Sequence, residues 1–179
     1  MMPTNLLKKY PDLLEIMHLT EGERTSSLRS IFKRDIEVNP KLNFRTKIIR
    51  PIKGEEPAMD LLFKHLTTEE IQELDENGKE YPKRVFEKDR SQRLHWVRFH
   101  LEESKKESVE IFSVEERDQK KRVDIIRTYI FDVDQKYVIV LDPQRSKRDY
   151  YLVTAYYLNK EYGEKKIRKL LKKRLPMLH

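Results

Sequence analysis

The sequence predicts an α+β fold in which helices pack on a four-stranded antiparallel sheet, with a mostly helical N-terminal region and a basic C-terminal helix. Three observations predict it. Phe86 to Glu103 holds no Gly or Pro and repeats its apolar residues at helical spacing. Four runs rich in Val, Ile, Tyr and Phe follow: Ser108 to Val114, Val123 to Val133, Tyr137 to Leu141 and Tyr150 to Tyr157. Lys160 to Leu175 then places Ile167, Leu170, Leu171 and Leu175 on one face of a closing helix. Because the four runs are joined by short segments, they pair antiparallel; parallel pairing needs a crossover of a dozen residues or more.

The elements before Phe86 carry weaker signals. Asn5 caps a short first helix through Leu14, although Pro11 lies inside it. Thr20 followed by Glu23 is a capping-box pattern, opening a helix to about Asp35 with Leu28, Ile31 and Phe32 as its apolar stripe. Glu37 to Pro57 is expected to be irregular or an edge strand, with a β-like run at Phe44 to Ile49. Thr67-Thr68-Glu69-Glu70 reads as an N-cap ahead of Ile71 and Leu74, and Asp75-Glu76-Asn77-Gly78 as a turn. The boundary between an N-terminal region, 1–80, and an α+β domain, 81–179, is placed there.

Composition limits the function classes. The 179 residues are 37% hydrophobic and 39% charged, and one Trp, nine Tyr and seven Phe argue against disorder. Without cysteine there are no disulfides, thiolate nucleophiles or cysteine–zinc sites. No apolar run approaches the eighteen or so residues of a membrane span, and the first apolar stretch is too broken by charge for a signal peptide. The expectation is a cytoplasmic protein. P-loop, GxGxxG, HExxH and GxSxG motifs are absent, and no two histidines sit at HxH or HxxxH spacing, so neither a metal nor another cofactor is expected. The net charge of +7 is uneven: residues 159–179 hold eight Lys or Arg against two Glu, which is nearly the whole surplus.

On a continuous helix, Phe86, Arg90, Arg93, Trp96, Val97 and His100 fall within one sector of roughly 120°. An arginine on a core-facing stripe needs an anion or a carboxylate. Arg90 and Arg93 either pair with acids such as Glu87 and Asp89 or grip phosphate with their forked donors. His100 shares their sector, and an imidazole moves protons near neutral pH, which makes it the candidate acid–base group. Strand alternation sets Arg127 on one face with Val123, Ile125, Tyr129 and Phe131, and Thr154 with Tyr150, Leu152 and Tyr156. Lys165, Lys166, Lys169, Lys172 and Lys173 lie opposite the apolar stripe of the last helix and are the candidate polyanion-binding residues.

Arg90-x-x-Arg93-Leu-His-Trp96, Tyr129-Ile-Phe, Lys136-Tyr-Val-Ile-Val-Leu141 and Tyr151-Leu-Val-Thr154-Ala-Tyr156 resemble the phage-associated branch of the barnase–EndoU–colicin–RelE-like nuclease superfamily, over residues 84–158. The resemblance implies a small metal-independent ribonuclease toxin, with Arg90 and Arg93 on phosphate, Thr154 lining the site, and a cognate inhibitor protein as a partner. No glutamate–histidine pair of the barnase kind is evident. Residues and resemblance together lead to the expectation of an endoribonuclease-like domain whose partner is RNA. It would act by 2′-hydroxyl attack and use His100, Arg90, Arg93, Arg127 and Thr154. The alternative is a non-catalytic nucleic-acid-binding accessory of a phage or mobile element.

Overall fold

The computed structural model describes residues 4–179. Its organising feature is a six-stranded mixed sheet in the order β1-β2-β8-β7-β6-β5, where β1 is Asn43–Phe44, β2 Lys47–Pro51, β5 Val109–Asp118, β6 Val123–Asp132, β7 Tyr137–Pro143 and β8 Asp149–Tyr157. Strands β5 to β8 form consecutive antiparallel pairs. The expected four-stranded antiparallel sheet is therefore corrected: β2 adds to β8 in parallel, pairing Ile48 with Asp149 and Pro51 with Leu152, and β1 folds back on β2. That parallel pair joins segments about a hundred residues apart, so no local turn signal announces it.

A separate two-stranded ribbon pairs β3, Thr68–Leu74, with β4, Glu80–Phe86. The helix expected after Thr67-Thr68 does not form. The Thr67 and Thr68 hydroxyls instead donate back to the carbonyls of Phe63 and Lys64, closing α2, Ala58–Thr67, at its C-terminal end. Asp75 to Gly78 is a turn as expected, but it is the tip of this ribbon, and Gly78 supplies the positive φ there. The division placed near residue 80 thus falls within one hairpin.

Both faces of the large sheet are covered. On one, α1 (Glu21–Phe32), α2 and α4 (Trp96–Leu101) share a core with Leu14, Ile16, Phe44, Ile130, Ile139 and Leu152. From Leu14 to Leu66 the N-terminal region contributes buried residues to that core. Helix α1 opens with the Thr20–Glu23 capping box. On the other face Ile167 of α5, Glu161–Lys172, packs with Phe112, Phe131, Val138 and Leu158. No helix among the described residues is long and apolar enough to cross a membrane.

The stretch from Phe86 to Glu103 is not one helix. Phe86 ends β4, the Glu87 carboxylate caps α3 (Lys88–Ser91), and a turn at residues 92–95 separates α3 from α4. Within it Arg93, Leu94, Trp96 and Val97 donate to the carbonyls three residues back. Such bonding winds about 20° more per residue than an α-helix, so phase is lost by roughly 100° across five residues. Arg90 and His100 consequently do not share a face.

Candidate functional site

Asp132 is fully buried and faces the core beneath α4. His100 Nε2 lies 2.9 Å from its Oδ2, the Tyr10 hydroxyl donates to the same oxygen at 2.6 Å, and Lys105 Nζ reaches Oδ1 at 2.8 Å. Burial opposes ionisation of Asp132, but the hydrogen bonds from His100, Lys105 and Tyr10 outweigh it and hold the carboxyl well below the usual range. His100 is only 2% exposed. This cluster ties the N-terminal segment, α4 and the end of β6 together, with the imidazole and the Asp132 carboxylate buried and Tyr10 and Lys105 partly exposed.

Arg93 also stays inside. Its guanidinium lies 3.9 Å from the centre of the Tyr157 ring, donates to the Asp89 carbonyl at 2.8 Å, and stands 3.7 Å from the Asp89 carboxylate. The acid-pairing alternative describes Arg93.

Arg90 differs. One terminal nitrogen donates to the carbonyls of His65 (2.9 Å) and Thr68 (2.8 Å) and lies 3.4 Å from the Thr154 hydroxyl. All of these partners are neutral; its buried Nε, like that of Arg93, has no hydrogen-bond partner among the described residues. Burial is the main cause lowering its pKa, partly offset by Glu87. Arg84 donates to the same Thr68 carbonyl at 3.2 Å, so two guanidinium groups converge beside His65. Burial, then the charge of Arg84, pushes that imidazole down to about 4.

Thr154 reaches this place through a β-bulge. Register shifts between Val140 and Leu141, pairing Leu141 with Leu152 and Val140 with Thr154. Strict alternation set Thr154 with Tyr150 and Leu152; the extra residue instead turns it, with Tyr156, to the α5 side. Arg127 occupies that face too, opposite Val114 and one alternation from Tyr129. Its Nε is likewise buried and unpartnered among the described residues.

Between α5, the end of β8 and α3 lies a pocket of about 220 Å³ lined by Arg90, Tyr129, Tyr156, Tyr162 and Lys166, with Glu69 at its edge. The Tyr129 hydroxyl donates to the Glu116 carboxylate. Burial, then Glu116, holds its phenolic proton well above the ordinary range. Tyr156, whose ring centre lies 5.7 Å from the Arg90 guanidinium, is raised by burial against the lowering fields of Arg90 and Arg127. The face therefore combines two half-buried arginines, two tyrosines and a carboxylate. Guanidinium groups can grip an oxyanion, and a tyrosine ring can stack on a flat group.

Of the five lysines, Lys166 lines the pocket, Lys165 pairs with Glu161 at 2.9 Å, and Lys169, Lys172 and Lys173 are exposed along α5. Arg90, Arg127, Thr154 and Lys166 are thus brought to one side of the sheet, and His100 and Arg93 are not. Sequence reasoning missed Glu116, Tyr156 and His65. For Glu116 a signal existed: it shares alternation with Val114, which faces Arg127 across the strand pair. Among the described residues no group of three or more His, Asp or Glu could hold a metal ion. No protein-family model, curated protein or solved structure matches this chain.

Proposed function

We propose that the α5-side face of the sheet binds RNA and cleaves it by attack of a ribose 2′-hydroxyl on the neighbouring phosphate. The observation that carries this reading is the pair of half-buried guanidinium groups, Arg90 and Arg127, on the face that also holds the Tyr129–Glu116 hydrogen bond, each with a buried Nε that has no hydrogen-bond partner among the described residues. A phosphate between them would satisfy the forked donors and have its growing charge stabilised as the fifth oxygen closes in. Glu116, oriented by Tyr129, takes the proton of the 2′-hydroxyl. As the O2′–P bond forms, the P–O5′ bond breaks and the departing 5′-oxygen takes a proton from water, leaving a 2′,3′-cyclic phosphate and a 5′-hydroxyl. Tyr156 and Tyr162 offer ring faces on which bases stack. The superfamily resemblance implies the same reaction, although the sheet is six-stranded and mixed. A toxin role and a cognate inhibitor depend on this cleavage.

One observation favours a binding-only role: His100, the histidine assigned to proton transfer, is buried on the other face. End-labelled RNA incubated with the protein in EDTA separates the readings. Cleavage should leave 5′-hydroxyl ends and spare DNA of the same sequence, which lacks the nucleophile. Salt-dependent binding without turnover would leave only the binding role.

A further inference from the structure

The antiparallel order of β5 to β8 brings the β5–β6 turn, residues 119–122, and the β7–β8 turn, residues 144–148, to one end of the sheet. They carry Lys120, Lys121 and Arg122, and Arg145, Lys147 and Arg148, all exposed. None of the six makes an ion pair among the described residues, although eighteen ion pairs form elsewhere. The nearby acids are otherwise engaged. Asp118 accepts from the backbone of Lys120 and Lys121, Asp124 pairs with Arg117, and Asp149 pairs with Arg50. Asp142 is half-buried with its pKa raised by burial. Arg122 and Lys147 also hold φ values of 54° and 57°, a left-handed conformation that glycine or asparagine adopts more readily. The turns thus keep a long cation where their backbone favours another residue.

Arg127 lies midway along β6, on the same face as and two residues before Tyr129 of the pocket and four residues after the start of the strand, while Asp142 lies at the end of β7 beside the second turn. Cationic groups therefore run from the two turns, through Arg127, to Arg90 and Lys166. We infer that the two basic turns form a docking surface for the backbone of a single-stranded RNA, holding the segment that extends from the α5-side pocket across the sheet face. The inference rests on the RNA-binding part of the proposed function and adds a path and a minimum length to it. Along β6 the distance from Val123 to Phe131 is eight residues, about 27 Å, which is roughly eight nucleotides at helical phosphate spacing and fewer if the strand is extended. An RNA of three or four nucleotides held in the pocket would not reach the turns; one of twenty would.

The test is the binding of fluorescent RNAs of four and twenty nucleotides in EDTA, over 50 to 300 mM salt. It compares the intact chain with a variant carrying Lys120→Gln, Lys121→Gln, Arg122→Gln, Arg145→Gln, Lys147→Gln and Arg148→Gln. All six side chains are exposed, and a circular-dichroism melt confirms that the variant folds. The slope of log Kd against log salt for the 20-mer should fall by about 0.7 for each phosphate no longer neutralised, up to about 4 for all six. Binding of the 4-mer should be nearly unchanged. An unchanged 20-mer slope would overturn the inference, as would an equal loss for both lengths, which would make the turns a diffuse field. Phosphatidylserine vesicles that bind the intact chain but not the variant, while RNA binding is retained, would assign the surface to a membrane and overturn it too. Because binding is read rather than cleavage, a protein that binds and never cuts removes the proposed reaction and leaves this surface standing. A protein that binds no RNA removes both.

Discussion

Replacing His100 by alanine should destabilise the protein without acting specifically on chemistry at the pocket. His100 Nε2 lies 2.9 Å from Asp132 Oδ2, and both side chains are almost completely buried. Truncation leaves the ionised carboxylate with Lys105 and Tyr10 but without its only buried partner. Removing a hydrogen bond to a buried charged group typically costs about 1.5–3 kcal/mol. For a chain of this length that corresponds to a fall of about 3–12 °C in melting temperature. Tyr10, Phe99 and Tyr137 surround the His100 ring, so the vacated space adds to the loss. His100→Gln, which keeps a donor, should recover part of it. The assay is a calorimetric melt, together with single-turnover RNA cleavage at a temperature where the variant remains folded. Should His100→Ala melt within about 2 °C of the parent yet lose cleavage, the histidine must meet the substrate, and the assignment of the site to the α5 face is wrong.

Other outcomes follow from the same geometry. Stability should fall as pH drops from about 6.5 towards about 4, because burial keeps His95 and His65 neutral in the fold while the unfolded chain takes up protons. His95 alone contributes roughly 3 kcal/mol, lost across that window, and urea melts at pH 7, 5.5 and 4.5 would measure it. Asp132, whose folded pKa is depressed, adds a further loss below the ordinary aspartate value of about 3.9, and Asp132→Asn should abolish that second phase. Thr154→Val removes the hydroxyl that donates to the His65 carbonyl at 3.2 Å; a loss of about 1 kcal/mol, or about 2–4 °C, is expected in a thermal melt. Changing Lys165, Lys166, Lys169, Lys172 and Lys173 to Gln should lower the salt slope of single-stranded RNA binding by about 0.7 for each phosphate the helix ceases to neutralise. Among single changes, Lys166→Gln should matter most because it lines the pocket, and Lys165→Gln least because Glu161 already pairs with that side chain.

Strands β5 to β8 were legible because each is a β-rich run whose antiparallel partner lies just beyond a short turn. The C-terminal helix and the Thr20 capping box were legible for the same local reason. The parallel β2–β8 pair was not, since a strand of five residues paired with one a hundred positions later leaves no periodic trace. Two local features separate residues that regular periodicity had grouped. The helical wheel that joined His100 to Arg90 needs unbroken α-geometry, and the tightened turn at residues 92–95 removes it. Alternation in β8 needs unbroken pairing, and the bulge opposite Val140 and Leu141 turns Thr154 over. Arg127 was placed on the correct face because β6 is regular along its whole length.

The central claim is that Arg90, Arg127 and Glu116 act on RNA from the α5 side of the sheet. The most direct test is single-turnover cleavage of a labelled RNA in EDTA by Arg127→Ala and Glu116→Gln, each checked for folding by its melt. Both side chains lie at the sheet face, outside the buried Asp132 cluster. Each variant is expected to retain a cooperative melt and to cleave about a hundredfold more slowly or worse, as for a lost charge-stabilising or proton-accepting group. Parent-like rates in both folded variants, with the intact chain cutting RNA, would contradict the claim and place the chemistry elsewhere on the molecule.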